Sequence, residues 1–280
     1  MEQALTLAYS TCPNDTYIFY ALANRRINRR GLNFAIHLAD VEELNQSART
    51  GRYDITKLSF AAAGHLTECY GLLRAGGAIG RGCGPLIVAR AGTDISHLEK
   101  GCVAVPGLWT TAHLLLSLFL PTPPRIRPMV FDGIMPAVSK GACDAGVIIH
   151  EGRFTYHEHG LVKLVDLGEW WEKKTGLPIP LGCIAIRRDL GKPVALQAEA
   201  LIRESIGFAD RHMEDAMSYI RQHARELSDT VIRRHIDLYV NRFSMDMAGE
   251  GAAAVEALFA KAREKKILDP SRMPLFAAGG

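Results

Sequence analysis

His150 closes the stretch DAGVIIHEGRFTY, in which a mostly apolar run ends in an imidazole followed by Glu151. A histidine's ordinary pKa of about 6.5 lets it take and return a proton near neutrality. At a cleft-facing strand end it is the strongest general-base candidate in the chain, its structural alternative being a strand cap bonded to backbone. Lys57, in DITKLSF, stands between Ile55 and Leu58 at the end of a buried-looking strand. Such a lysine requires an anionic partner or a solvent-facing tip. STCPNDTYIF adds Ser10, Cys12, Asn14 and Asp15, and PGLWTTA adds Thr110 and Thr111, each group just ahead of a helical pattern. Asn14, Asp15 and the two threonines are also ordinary N-cap residues. Together with Lys57 and Ser59 these groups describe an anion-friendly pocket with one titratable base.

Other reactive residues fit known chemistry less well. HEGRFTYHEH gathers His150, Glu151, His157, Glu158 and His159, but the spacing is not H-E-x-x-H and Gly152 breaks the segment, so no metal site is assigned. The cysteines, at 12, 69, 83, 102, 143 and 183, form no C-x-x-C pair and read as reduced thiols. No base adjoins Cys12 in sequence, so it is read as a packing residue and not as a nucleophile. GGAIGRGCGPL lacks both the P-loop ending and a clean G-x-G-x-x-G before a helix.

The elements that must position these residues form a repeat. Leu5 to Tyr9 reads as a strand, then a polar loop, then a helix from Asp15 to Asn24 with Asn14 or Asp15 as its cap. GCVAV, PGLWTT and AHLLLSLFL repeat that order from Gly101. TGRYDITKLSF and KGACDAGVIIH align without a gap, with Gly51 or Gly141 closing a helix and Asp54 or Asp144 opening a buried strand. GPLIVAR (84–90) and LGCIAIRR (181–188) resemble each other and read as strands crossing between two lobes. The expected fold is α/β and two-lobed, each lobe a mixed sheet flanked by helices with the ligand cleft between them. Lobe 1 takes 1–90 and 181–280, including C-terminal helices and a capped segment at SDTVIRRHIDLYV. Lobe 2 is inserted as 91–180. Ligands of such sheets bind beyond the carboxyl ends of the strands, where helix N-termini present free N–H groups.

Composition narrows the partner. The chain has 280 residues, 48% of them apolar, and 33 Lys and Arg against 30 Asp and Glu give a net charge of +3. That length and apolar content fill a sizeable core. The basic residues form no block, which argues for neither nucleic acid nor a membrane surface as partner. MEQALTLAYS opens directly on a strand pattern without a leader, and no later run has the length of a membrane span, so a cytoplasmic protein is expected.

Seven blocks in order carry a resemblance: SxCPNDTxIFYAL, DITKLSFAA, GRGCGPLIVAR, VAVPGLWTTAHLLLSL, AGVIIHEGRFTY, GEWWEKKTGLPIPLG and LYVNRFSMDMAGEG. From about Leu5 to Gly251 the chain resembles the 1,4-dihydroxy-6-naphthoate synthase family of the futalosine route to menaquinone, with Thr11 where many relatives carry proline. The resemblance implies a two-lobed fold like the type II periplasmic binding proteins. It also implies a lyase that converts cyclic dehypoxanthinylfutalosine, a small-molecule carboxylate, into 1,4-dihydroxy-6-naphthoate and a three-carbon fragment, dihydroxyacetone, with neither redox nor metal cofactor. The family's catalytic histidine falls on His150. Its substrate contacts fall on Lys57, Leu58 and Ser59 and on Thr110, Thr111 and Ala112, with Ser10 and Asn14 as further candidates. Trp170 and Trp171 are candidates for stacking on a bicyclic ring, against interface packing. A non-catalytic solute-binding protein for a small anion is the competing reading, since fold alone does not fix function. The HEGRFTY and PGLWTTA blocks disfavour the sister lyase acting on chorismate.

Overall fold

A computed structural model describes residues 4–224 and 228–279, the side chain of His97 excepted. The first unit runs β1 (Leu5–Tyr9), α1 (Pro13–Ala23), β2 (Phe34–Leu38), α2 (Val41–Ala48), β3 (Ile55–Ser59), α3 (Phe60–His65), β4 (Tyr70–Leu72) and β5 (Ala78–Gly80). The second runs β6 (Leu86–Arg90), β7 (Cys102–Val105), α4 (Thr111–Phe119), β8 (Arg125–Pro128), α5 (Phe131–Ser139), β9 (Ala145–Ile148), α6 (Gly152–Thr155), β10 (Leu161–Asp166) and α7 (Leu167–Thr175). The chain then returns through β11 (Ile179–Arg187) to helices α8 (Gly191–Arg211), α9 (Met213–His223), α10 (Asp229–Tyr239), α11 (Arg242–Met245) and α12 (Glu250–Glu264).

Two mixed sheets result, ordered β2-β1-β3-β11-β4, with β5 also on β11, and β10-β6-β9-β7-β8. The repeat in the sequence is a repeat of this order: β1 pairs in parallel with β2 and β3, as β7 does with β8 and β9. The antiparallel fourth strand is β11 beside β3 and β6 beside β9. The matching aspartates do the same work in each half. Asp54 accepts from the Thr6 backbone N–H at 2.8 Å, and Asp144 accepts from that of Cys102 at 2.7 Å, each tying its own strand to the start of the neighbouring one. Gly51 and Gly141 take positive φ, +67° and +76°, a conformation that costs a side-chain-bearing residue and ends each preceding helix.

Two boundaries differ from the sequence reading. Leu86–Arg90 hydrogen-bonds within the second sheet, so the first crossing lies before residue 86 and lobe 1 does not extend to residue 90. Helix α1 starts at Pro13 with Cys12 as its N-cap. Proline is pre-set for the first helical position, and Asp15, inside the first turn, is engaged elsewhere.

All five residues of β3 are buried, because β1 and β11 flank it and helices cover both faces. Leu7, Phe19, Ile55, Ile184 and Leu201 pack one side of the first sheet against α1 and α8. On the other side a continuous apolar cluster runs from Leu58 and Phe60 through Leu115, Val147 and Trp171 to Leu258, joining both lobes. Each such side chain, fully buried, contributes about 1.5–3 kcal/mol. Between the lobes, Gly84 and Gly168 meet so closely that a Cβ on Gly84 would lie 2.3 Å from Gly168 backbone. Among the described residues no helix is long and apolar enough to cross a membrane.

Candidate active site

The carboxyl ends of the strands and the starts of α1, α3 and α4 converge on one cavity between the lobes, enclosing about 640 Å³ with its mouth included. Lobe 1 contributes Ser10, Asn14 and Asp15 from the β1–α1 junction and Lys57 and Ser59 from β3. Lobe 2 contributes Thr110, Thr111 and Ala112 from the start of α4 and His150 from beyond β9. Of the residues to which the resemblance assigns substrate contacts, Leu58 is the exception. It points away from the cavity into the apolar cluster with no exposure, because successive side chains of a strand face opposite sides. Trp171 is likewise core, its indole N–H donating to Pro178 O at 3.0 Å, and Trp170 packs edge-on against Phe119. Neither tryptophan lines the cavity.

A buried ion pair anchors the lobe 1 wall. Lys57 Nζ donates to Asp15 Oδ1 at 2.5 Å, with both side chains almost wholly buried. The Asn14 amide donates to the same oxygen at 2.8 Å, and the Ser10 hydroxyl donates to Oδ2 at 2.6 Å. These bonds meet the requirement that a buried charge be paired and its remaining lone pairs satisfied. They also commit Ser10 and Asn14 largely to holding Asp15. A Cβ on Gly182, on β11 opposite Ser59, would lie 3.0 Å from Lys57 Cε, so glycine there leaves room for the lysine. Ser59 Oγ accepts from Asn45 Nδ2 at 3.2 Å, which leaves its own proton for a ligand.

On the lobe 2 side, Thr110 is the N-cap of α4: its Oγ accepts from His113 N–H at 3.2 Å and donates to Gly107 O at 2.8 Å. Thr111 Oγ donates across the lobes to Leu181 O at 2.7 Å. With both hydroxyls so engaged, the α4 groups available to a ligand are the backbone amides at the helix start, where the dipole favours an anion.

His150 lies two residues past β9 with φ +56°, the left-handed region that a side chain occupies at a cost. Its ring sits edge-on to Phe131 at 5.4 Å and near-parallel to that of His235 at 6.1 Å. Cys12 Sγ lies 3.4 Å from His150 Nδ1. The argument that no base adjoins Cys12 therefore does not hold in space. Burial, reinforced by Asp15 and Glu151, nonetheless drives the thiol pKa far above its ordinary value, so Cys12 meets His150 as a neutral thiol. From the histidine-rich tract, Arg153 pairs with Asp166 at 2.9 Å and donates to Gly84 O, which pins the His150 loop to the lobe junction.

Among the lining residues that the sequence reading did not place in the site, two carry polar groups on aromatic rings. His235 and Tyr239, on the inner face of α10, close the cavity from the C-terminal helices, with rings 4.5 Å apart. The signal was there: the stripe Ile232, His235, Ile236, Tyr239 puts a histidine on the apolar face of an amphipathic helix.

A family model described as "Menaquinone biosynthesis" matches residues 5–264. The chain belongs to the menaquinone biosynthesis family. It is 49% identical over 276 residues to a protein of Thermus thermophilus named "1,4-dihydroxy-6-naphtoate synthase", covering 98% of this chain and 99% of that protein. A Streptomyces coelicolor protein of the same name is 43% identical over 263 residues, 92% of each chain. Among solved structures, a protein of Archaeoglobus fulgidus superposes with a TM-score of 0.88 at 35% identity, covering 95% of this chain and 98% of its own. The periplasmic aliphatic sulphonate binding protein of Escherichia coli superposes with a TM-score of 0.68 at 14% identity, over 100% of this chain and 92% of its own. That likeness concerns the fold alone: this chain has a two-lobed α/β architecture like that of periplasmic binding proteins.

Proposed function

We propose that this chain is a 1,4-dihydroxy-6-naphthoate synthase, a carbon–carbon lyase that cleaves cyclic dehypoxanthinylfutalosine into 1,4-dihydroxy-6-naphthoate and dihydroxyacetone. Near-full-length identity to two proteins of that name supports the reading. The single observation that carries the chemistry is His150, an imidazole fixed in a left-handed turn on the cavity wall, facing an anion-binding arrangement of helix starts and Lys57.

In the proposed reaction His150 removes a proton from the bound substrate. The electron pair released drives a retro-aldol-like cleavage of a carbon–carbon bond, the three-carbon fragment leaves, and aromatisation of the new ring supplies the driving force. His150 then returns its proton, so the step is redox-neutral. The α4 amides and Lys57 hold the carboxylate or the developing oxyanion, and closure of the lobes over the substrate keeps water from the intermediate. The reading places the reaction in the cytoplasm, as expected of a biosynthetic step.

The test is incubation of purified protein with the cyclic substrate, with chelator present, followed by chromatography. Formation of the naphthoate is expected. Binding without turnover would favour the solute-binding alternative, and turnover lost only on chelation would return the histidine-rich tract to consideration as a metal site.

A further inference from the structure

His235 is a polar group in the cavity wall to which the proposed reaction gives no work. It is fully buried and lines the cavity. Its Nε2 lies 3.0 Å from Asn14 Oδ1. Its Nδ1, equally shielded from water, has no hydrogen-bond partner among the described residues. A buried polar atom left so costs about 1–3 kcal/mol and calls for an explanation.

The direction of the hydrogen bond to Asn14 follows from charge. Asp15, paired with Lys57, offers only acceptors, so the nitrogen of the Asn14 amide must face it, at 2.8 Å. Asn14 Oδ1 is then turned to His235, and an oxygen can only accept, so Nε2 carries the proton. Burial foremost, with the nearby His150 and Lys57, pushes the His235 pKa well below its ordinary value and keeps the ring neutral. In a neutral ring protonated at Nε2, Nδ1 is a bare acceptor. The chain Lys57–Asp15–Asn14–His235 thus transmits one fixed charge into one fixed tautomer at the cavity wall.

We propose that His235 is a substrate-contacting residue whose Nδ1 accepts a hydrogen bond from a hydroxyl of the ligand, a role that rests on the reading of the cleft given above. The site then has polarity. Lys57 and the α4 amides attract the anionic end of a ligand, whereas Nδ1 repels a carboxylate oxygen and selects a hydroxyl. Because the His235 and His150 rings lie near-parallel with centroids 6.1 Å apart, the hydroxyl held by His235 is placed beside the base. A neutral His235 also lets His150 take up a proton without a second cation as neighbour.

Two substitutions separate the nitrogens. His235→Gln keeps a group near Nε2 for Asn14 and loses the acceptor, while His235→Asn places an amide oxygen near Nδ1. We expect kcat/KM for the cyclic substrate to fall at least tenfold in His235→Gln and less in His235→Asn, with melting curves showing both folded. Two folded variants with wild-type kcat/KM would overturn the proposal. Should either variant fail to fold, nitrogen-15 NMR of histidine-labelled wild-type protein decides. The Nε2–H tautomer is expected without ligand, and the Nδ1 signal of His235 should move when 1,4-dihydroxy-6-naphthoate saturates the protein. An Nδ1–H tautomer, or an Nδ1 signal unmoved while His150 responds, contradicts it. A wild-type protein that neither turns over substrate nor binds that product removes the functional reading instead, and the ligand-free tautomer still tests the relay.

Discussion

The Lys57–Asp15 pair offers the sharpest energetic test of the site. Lys57 is 5% exposed and Asp15 1%, so neither charge regains water when its partner is removed. Breaking a buried pair from one side costs about 3–5 kcal/mol. Lys57→Met falls at the lower end, near about 3 kcal/mol, because Asp15 keeps the Ser10 and Asn14 hydrogen bonds. Asp15→Asn falls near about 5 kcal/mol, since Lys57 keeps its charge and loses its only ion-pair partner among the described residues. At about 2–4 °C per kcal/mol for chains of this order, the single variants should melt about 6–20 °C lower. The double variant holds no unpaired charge, so its loss should undercut the sum of the singles by more than about 1 kcal/mol. Urea denaturation followed by circular dichroism measures all three. Single losses below about 1 kcal/mol that add without coupling would refute the view of a buried, mutually dependent pair.

Two further outcomes follow from the same geometry. Thr110→Ala removes the α4 cap, which should cost about 1 kcal/mol in urea denaturation and raise KM, and Thr110→Ser should restore both. His235 is held neutral, so the unfolded chain binds a proton there at higher pH than the folded one does. Its contribution is present above about pH 6.5 and is lost progressively as pH falls below that. Burial lowers the pKa of the partly exposed His65 and His223 too, which adds smaller losses in the same direction. Denaturation midpoints across this range should show that slope in the wild type and a shallower one in His235→Gln.

The fold was readable where it obeys local rules. Gly51 with Asp54 and Gly141 with Asp144 mark two copies of one helix-to-strand junction, and the structure gives both aspartates the same partner position. The helix start was misplaced because Asn14 and Asp15 are good caps by type, whereas Pro13 fixes the first helical residue at its own position. Asp15 is drawn instead to a lysine 42 residues away, a contact with no periodic signature. Cys12 and His150 meet across 138 residues, and Asn14 and His235 across 221, so these pairings exist only after the lobes and the C-terminal helices have packed. Leu58 was carried along with KLS as a block, although the alternation of a strand sends it away from its neighbours Lys57 and Ser59.

The account's central claim is that His150 is the base, and His150→Ala tests it most directly. Wild-type protein and variant are compared in single-turnover reactions with the cyclic substrate, alongside a direct measurement of substrate binding. The account predicts that the variant binds with affinity close to wild type and forms no detectable naphthoate. Alanine keeps a Cβ at φ +56°, so the backbone cost there is unchanged and the melting temperature should move little. Naphthoate formation by His150→Ala at a rate near that of the wild type would contradict the claim.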